Sequence, residues 1–275
     1  MNILVAVDEN YLDPLKVTLY SIAKHNSVPI RVYVLHFHIS EKKQREFAKS
    51  VRKNIEVKFF RVRLEEFNGI AQNKRYKLEA NLRLAMLKVL PSDIERIMWL
   101  DADIIVRKNI LEFYNYPDKG QCAIVCEDMF SRSEKYDILQ NLGMKCSSRY
   151  FNSGVMLFYL KNVRKFFNEE TFLLWAKQNP DKLKFPDQNV LNSCLEGKVI
   201  WADPRKYNLQ LLRINKQVLK HIYSSKVVHY NMPQKPWNDN YDGDGEWVYW
   251  TYAIKAWGMV PFFKHYLKKY IGRER

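Results

Sequence analysis

Glycine is scarce in this chain, 9 residues in 275, against about 7% in an average protein. That shortage argues against a glycine-rich dinucleotide-binding loop. Cysteine is sparser still: Cys122, Cys126, Cys146 and Cys194 include no C-x-x-C pair. A chain of this length needs no disulfide staples, so the four are expected as reduced core thiols in the cytosol. Long apolar runs are missing as well. Stretches such as Val155 to Leu160 fall far short of the roughly 20 residues a membrane-spanning helix needs. Met1 to Val7 meets Asp8 and Glu9 at once, unlike a secretory leader. No bilayer crossing is expected. Acid is absent from Pro204 to Asn238, a stretch with seven Lys and Arg.

What is present points to a folded domain that meets anions. Hydrophobic residues make up 47% and charged residues 27%, enough for a large core. Lys and Arg number 45 against 30 Asp and Glu, a formal charge of +15, which favours nucleic acid, anionic lipid or phosphorylated substrates. Aromatics reach 14%, with 17 Tyr and 7 Trp, suited to flat contacts with rings or membranes. Lys255 to Arg275 carries six Lys and Arg against one Glu, interleaved with Trp257, Phe262, Phe263, Tyr266 and Tyr270. Membrane-surface docking and a plain solvated terminus both fit that tail.

Hydrophobic patterning alternates strands with helices. Ile3 to Val7 reads as a strand buried on both faces. Asp13-Pro14 has the form of a helix N-cap and first position, followed by a stripe at Leu15, Leu19, Ile22 and Ala23. Strands are expected at Ile30–Leu35, Glu56–Val62, Ile97–Leu100, Ala123–Cys126, Gly154–Tyr159, Val199–Ala202 and Lys226–Tyr230. Helices are expected from Glu41 with Phe47 and Val51 inward, along Leu82, Ala85, Met86 and Val89, and over Val163–Lys177, Gln188–Glu196 and Glu246–Trp257. This order implies an α/β domain with a largely parallel sheet and ligands at the carboxyl ends of its strands.

Asp101 and Asp103 follow such a strand. Two carboxylates at i and i+2 can converge on one hard cation, Mn²⁺ or Mg²⁺, leaving positions for phosphate oxygens; capping a turn is the plainer reading. A phosphatase signature fits poorly, because Ile105 stands where that pattern wants Thr or Val. His229 ends another apolar strand and opens a loop with Lys235, Pro236 and Trp237, where imidazole can complete a carboxylate metal site and Lys235 can meet phosphate.

Taken in order, Ala6, Asp8, Asn10 and Tyr11, then Asp101-Ala102-Asp103, then Tyr150-Phe151-Asn152-Ser153-Gly154-Val155, then Asp187-Gln188-Asn189, then His229 to Trp237 give the chain its likeness. It resembles the family 8 retaining glycosyltransferases of the GT-A fold, and most of all bacterial lipooligosaccharide α-galactosyltransferases. The resemblance spans about residues 1–240 and leaves 241–275 as a basic, aromatic helical extension. It implies a Rossmann-like, mostly parallel sheet flanked by helices. It further implies transfer of galactose or glucose from a UDP-sugar to a glycan or glycolipid acceptor such as a lipopolysaccharide core, at the inner face of the cell membrane.

The same likeness assigns roles. Asp101, Asp103 and His229 would hold Mn²⁺, with Ala102 between the two acids. Ala6, Asp8, Asn10 and Tyr11 would receive uracil and ribose, and Lys235 the diphosphate. Arg83 would reach the donor. Asp103, Asn152, Asp187 and Gln188 would bind sugar hydroxyls, Gln188 would sit behind the anomeric carbon, and Asp128 would serve the acceptor side. Plainer readings stand beside several of these: Asn152 as a turn residue, Asp187 as a helix N-cap, Tyr11 as core packing, Arg83 as a surface arginine. The family's glycine is replaced by Met232, and Pro233 lacks an N–H, which shifts the diphosphate grip toward Lys235 and the metal. Two rivals remain: a nucleic-acid-binding module, suggested by the charge, and a nucleotidyltransferase, disfavoured because Asp8 to Leu12 contains neither glycine nor base.

Overall fold

Continuous apolar strands need cover on both faces, and the chain provides it. The computed structural model describes residues 1–70, 78–129, 132–211 and 220–271; Phe130, Arg213, Lys216, the chain from Gly272 and the Tyr270 side chain lie outside that description. Strands β1 (Asn2–Ala6), β2 (Ile30–His36), β3 (Ile55–Arg61), β4 (Arg96–Leu100), β6 (Ala123–Glu127), β7 (Phe151–Tyr159) and β8 (Val199–Ala202) form one sheet in the order β3-β2-β1-β4-β7-β6-β8. Strand β7 runs antiparallel to both neighbours, and the other pairs are parallel. Alternate residues feed two cores: Leu4, Ile97 and Trp99 enter one, and Ile3, Val5, Met98 and Leu100 enter the other.

The helices are α1 (Leu12–His25), α2 (Glu41–Ser50), α3 (Met86–Val89), α4 (Leu111–Tyr114), α5 (Arg132–Leu142), α6 (Leu160–Phe166), α7 (Thr171–Gln178), α8 (Pro186–Cys194), α9 (Pro204–Tyr207), α10 (Glu246–Trp257) and α11 (Met259–Tyr266). A small second sheet joins β5 (Ile104–Val106), β10 (Val227–His229) and β9 (Leu209–Gln210) in the order β5-β10-β9. Helix α10 packs with Val17 of α1 and Val228 of β10 through Val248, Tyr249, Trp250 and Tyr252, and the Trp257 indole donates to the Asp13 carbonyl. Among the described residues no helix is long and apolar enough to cross a membrane.

Several local expectations give way. The first helix is entered through a 3₁₀ turn, Glu9–Tyr11, capped by Asp8, which places Asp13 and Pro14 inside the first turn of α1. The stripe of Leu82, Ala85, Met86 and Val89 is split: its first half is wound in a 3₁₀ helix, Leu78–Ala85, and its second half is α3. The expected helix over Val163–Lys177 is two helices. Asn168 breaks it by accepting from the Glu170 N–H and the Thr171 hydroxyl, a side-chain turn that competes with the helix ladder. All four cysteines are free, yet Cys146 is exposed and stands outside the core.

Candidate active site

The sheet order reverses at β1: the chain runs outward through β2 and β3, then returns to place β4 on the other side of β1. Crevices of this kind are where α/β sheets bind ligands. Leu4 pairs with Trp99, so the register brings Ala6 level with Asp101. The residues after β1 and those after β4 therefore open onto one edge, and antiparallel β7 adds its own first residues there, since Asp101 N–H bonds to the Gly154 carbonyl at 2.9 Å.

Each of the two acids has one oxygen tied and the other presented. Asp101 Oδ1 accepts from Arg83 at 2.7 Å and from the Trp99 indole at 2.8 Å, while Oδ2 lies 3.7 Å from His229 Nε2. Asp103 Oδ2 accepts from Lys235 at 2.5 Å, while Oδ1 is buried without a hydrogen-bond partner, 3.3 Å from His229 Nε2. Burial alone would push the Asp103 carboxyl up; the Lys235 ammonium and the His229 ring outweigh it and hold it well below the usual carboxylate range.

His229 reaches the two acids because β10 pairs antiparallel with β5, immediately after Asp103. His229 stands opposite Ile104, and the Tyr230 N–H bonds to the Asp103 carbonyl at 3.0 Å. Gly154 lies beneath the ring: a Cβ there would come 2.2 Å from His229 Cε1 and 2.9 Å from Asp101 Oδ2. A side chain at that point is excluded by the imidazole, so the glycine is a requirement of the site rather than of a turn.

Arg83, read alternatively as a surface arginine, is 4% exposed. Besides Asp101 it meets the Ser153 carbonyl and Asp187, and its guanidinium carbon lies over the Trp99 ring, 4.1 Å from the centroid. Asp187 sits in the first turn of α8 without capping it; its carboxylate takes the Ser153 hydroxyl at 2.8 Å and the Arg83 guanidinium at 3.1 Å. Burial pushes the Asp187 carboxyl up against the pull of Arg83. Asn152, read alternatively as a turn residue, lies inside β7. Its amide nitrogen donates to Asp128 at 3.0 Å, and Gln188 Nε2 donates to the same Asp128 oxygen at 3.0 Å. Burial raises the Asp128 carboxyl, opposed by those two amide bonds. Gln188 Oε1 accepts the Ser153 N–H at 2.9 Å.

On the other wall, Ala6 ends β1, Asp8 Oδ1 caps the Tyr11 N–H at 3.0 Å, and Asn10 is exposed in the same turn. Tyr11 is half-buried and meets Trp237 edge-on at 5.8 Å, so it belongs to the crevice wall as much as to the core. Ala102 is buried between the acids, and Met232 is half-buried on the loop leading to Lys235.

Four contributors receive no role from the sequence reading: Trp99 and Ser153 as described, the latter although it stands inside a motif, and Asn208 and Gln210. Asn208 Oδ1 lies 3.0 Å from His229 Nδ1, and Gln210 accepts from the Asn231 amide at 3.2 Å. The alternation Asn208-Leu209-Gln210-Leu211 was the available signal. All four are buried, which for the two amides demands partners.

Asp101, Asp103 and His229 form the only trio of His, Cys, Asp or Glu side chains among the described residues whose ligand atoms lie within 4.8 Å of one another. The unpartnered Asp103 Oδ1 is the telling atom, because a buried lone pair of this kind is costly without a donor or a cation. Two hard oxygens and one imidazole nitrogen suit Mn²⁺ or Mg²⁺, so the residues present fit the expected ion.

Comparison with known proteins agrees with this architecture. The model of glycosyl transferase family 8 matches residues 2–241. The lipopolysaccharide 1,2-glucosyltransferase of Escherichia coli K12 is 26% identical over 278 residues, covering 97% of this chain and 76% of that protein. The lipopolysaccharide 1,3-galactosyltransferase of Salmonella typhimurium LT2 is 25% identical over 292 residues, covering 97% of this chain and 77% of its own length. The crystal structure of galactosyltransferase LgtC with donor and acceptor sugar analogues superposes with a TM-score of 0.79 at 25% identity, over 93% of this chain and 96% of LgtC. This membership takes precedence over the nucleic-acid and nucleotidyltransferase readings. The crevice at β1 and β4, the acid pair with its distant histidine, and the family match across 2–241 lead to one conclusion: the chain belongs to glycosyl transferase family 8 and is a glycosyltransferase of the GT-A fold.

Proposed function

We propose that the enzyme moves a hexose, galactose or glucose, from a UDP-sugar to a hydroxyl of a lipopolysaccharide-type glycolipid core, with retention of anomeric configuration and with Mn²⁺ held by Asp101, Asp103 and His229. The observation that carries the reading is the convergence of Asp101, Asp103 Oδ1 and His229 Nε2, with the remaining carboxylate oxygens tied back by Arg83, Trp99 and Lys235. When bound, the ion supplies Lewis-acid charge neutralisation at the diphosphate of the donor. Lys235, swinging from Asp103, adds a point charge to the departing UDP. Tyr11, beside Trp237, offers a ring face to uracil, with Asp8 and Asn10 toward the ribose.

Sugar hydroxyls meet Asn152, Asp187, Gln188 and Asp103, and the acceptor approaches past Asp128. A double displacement would ask Gln188 Oε1 to act as nucleophile. That oxygen already accepts the Ser153 N–H, and its amide is anchored by Asp128, which makes it a poor one. Front-face attack by the acceptor hydroxyl, with the leaving phosphate oxygen taking its proton, is therefore preferred. Slow hydrolysis of UDP-galactose and UDP-glucose with Mn²⁺, followed without acceptor, tests the reading. Asp103→Asn should lose the activity, and full activity in that variant with excess chelator refutes the metal role.

The docking surface proposed for the tail is α11. Met259, Val260, Phe263, Tyr266 and Leu267 are exposed at helical spacing, flanked by exposed Lys255, Lys264 and Lys268. An apolar stripe beside cations suits an anionic membrane surface. Because Trp257 bonds to Asp13 and Phe262 packs on Trp250, the test is substitution rather than truncation. Val260→Ser with Phe263→Ser should weaken binding to vesicles containing anionic lipid while turnover on a soluble acceptor persists; unchanged vesicle binding refutes it.

A further inference from the structure

The ring of His229 can offer Nε2 to a cation only if the proton of the neutral imidazole is on Nδ1. Which nitrogen carries it is decided by a chain of buried amides whose polarity can be read from groups that cannot be turned around. The Gly154 N–H can only donate, and it points at Asn152 Oδ1 at 3.0 Å. The Asn152 nitrogen consequently faces Asp128, at 3.0 Å. Gln188 is oriented the same way by the Ser153 N–H, and it places its own nitrogen on the same Asp128 oxygen.

With Asn152 fixed, Asn208 has one choice. It approaches Asn152 Oδ1 at 2.9 Å, and two acceptor oxygens do not face each other at that distance, so its nitrogen donates there. Its remaining atom, Oδ1, is what meets His229 Nδ1 at 3.0 Å. An acceptor at that point requires the proton on Nδ1. Nε2 then keeps its lone pair, 3.3 Å from Asp103 Oδ1 and 3.7 Å from Asp101 Oδ2. The amide itself is held firmly: Asn208 is wholly buried, its N–H closes α9 on the Pro204 carbonyl at 3.0 Å, and the next residue, Leu209, pairs with Val228 of β10.

We propose that Asn208 is a positioning residue that locks the His229 imidazole in its Nδ1–H form and so keeps Nε2 available to the divalent cation. Without that acceptor, an Nε2 proton would have the unpartnered Asp103 Oδ1 as its target, and the ligand nitrogen would be blocked. The inference rests on the metal reading of Asp101, Asp103 and His229 given above. Partners of metal-binding histidines commonly change affinity about 10–100-fold when removed.

Two measurements test it. In metal-free protein at about pH 9, above the ordinary imidazole range where the ring carries one proton, long-range ¹H–¹⁵N spectra of the His229 ring should show that proton on Nδ1 in the wild type and in Asn208→Asp, and on Nε2 in Asn208→Leu. Mn²⁺ titrated by electron paramagnetic resonance in the presence of UDP should bind Asn208→Leu about 10–100-fold more weakly, and Asn208→Asp less weakly than Asn208→Leu, because one carboxylate oxygen still accepts from Nδ1 although the other loses the bond to Asn152 Oδ1. An Nε2–H wild-type ring, or equal Mn²⁺ affinity in Asn208→Leu, overturns the proposal. So does a loss in Asn208→Asp as deep as in Asn208→Leu, which would trace the effect to packing. A wild type that binds no Mn²⁺ overturns the metal reading and this proposal with it, whereas wild-type binding matched by the leucine variant overturns this proposal alone. Should Asn208→Leu fail to fold, the wild-type spectrum and the aspartate variant still decide.

Discussion

Gly154→Ala adds a single methyl group at the most crowded point of the site. The added carbon would stand 2.2 Å from His229 Cε1, where ordinary contact begins at 3.4 Å, so the ring must retreat by about 1.2 Å. The next nearest atoms are His229 Nδ1 and Asp101 Oδ2, both at 2.9 Å, and β7 is buried along its whole length. Overpacking of this kind costs about 1–3 kcal/mol, while replacing a strand glycine returns about 0.5–1 kcal/mol of backbone entropy. The net loss of stability is therefore modest, a fall in Tm of a few degrees at about 2–4 °C per kcal/mol. Cation binding should suffer far more, because metal sites tolerate ligand displacements of only about 0.2 Å. Calorimetric unfolding paired with Mn²⁺ titration in the presence of UDP separates the two. A folded variant that binds Mn²⁺ as tightly as the wild type would refute the placement of His229 over Gly154.

Arg83→Ala strips the cation shared by Asp101 and Asp187. Unpairing buried Asp187, together with half-buried Asp101, should cost about 3–5 kcal/mol, seen as a lowered urea midpoint, and a midpoint within about 0.5 kcal/mol-equivalent of wild type, the scatter of surface changes, would count against the arrangement. His36, whose Nδ1 accepts the Ile39 N–H at 3.0 Å, is held down to about 4 by burial, with Arg61 and His38 adding to it. Below about pH 6.5 the unfolded chain takes up a proton there that the folded chain refuses until about pH 4, so stability present above 6.5 is lost as pH falls to 4, about 2–3 kcal/mol in all. His36→Asn keeps an acceptor without titrating, and its urea midpoint should fall less between pH 7 and 4.5; parallel curves for the two proteins would dismiss the linkage. Among the four thiols, burial raises Cys122 to about 11, Cys194 to about 12 and Cys126 further, while Cys146 is exposed. A thiol reagent at pH 8 should therefore modify one group rapidly in native protein and four after unfolding, and two or more fast groups would contradict the burial pattern.

Residues whose chemistry is local were legible from sequence, and residues whose role depends on distant partners were not. The strand ahead of Asp101 announces itself by four consecutive apolar residues, and the acids follow where strands of this class present ligands. Arg83 was named only through the family resemblance; its local pattern is that of any helical arginine, because its burial comes from Trp99, Asp187 and the Ser153 carbonyl, none of them near it in the chain. Asn208 was hidden for a similar reason. It lies in a basic stretch that invited an electrostatic explanation, and its partners belong to β7 and β10. One broken helical stripe has a local cause that periodicity ignores, the Asn168 side chain competing with the ladder after α6; for the other, residues 78–85 wind as 3₁₀ ahead of α3. Cys146 was misplaced because composition alone says what thiols usually do.

Tyr11, Trp237, Tyr249 and Trp257 touch in succession, and Trp257 returns to bond the carbonyl of Asp13. Helix α1 thus waits for the much later α10 before its outer side is covered. Contacts this distant along the chain close late in folding. A nascent polypeptide stalled short of residue 246 would already contain every proposed cation ligand and Trp237, yet lack the Tyr249 and Trp257 rings packed behind that indole, so the wall at Tyr11 is completed only once α10 has been made.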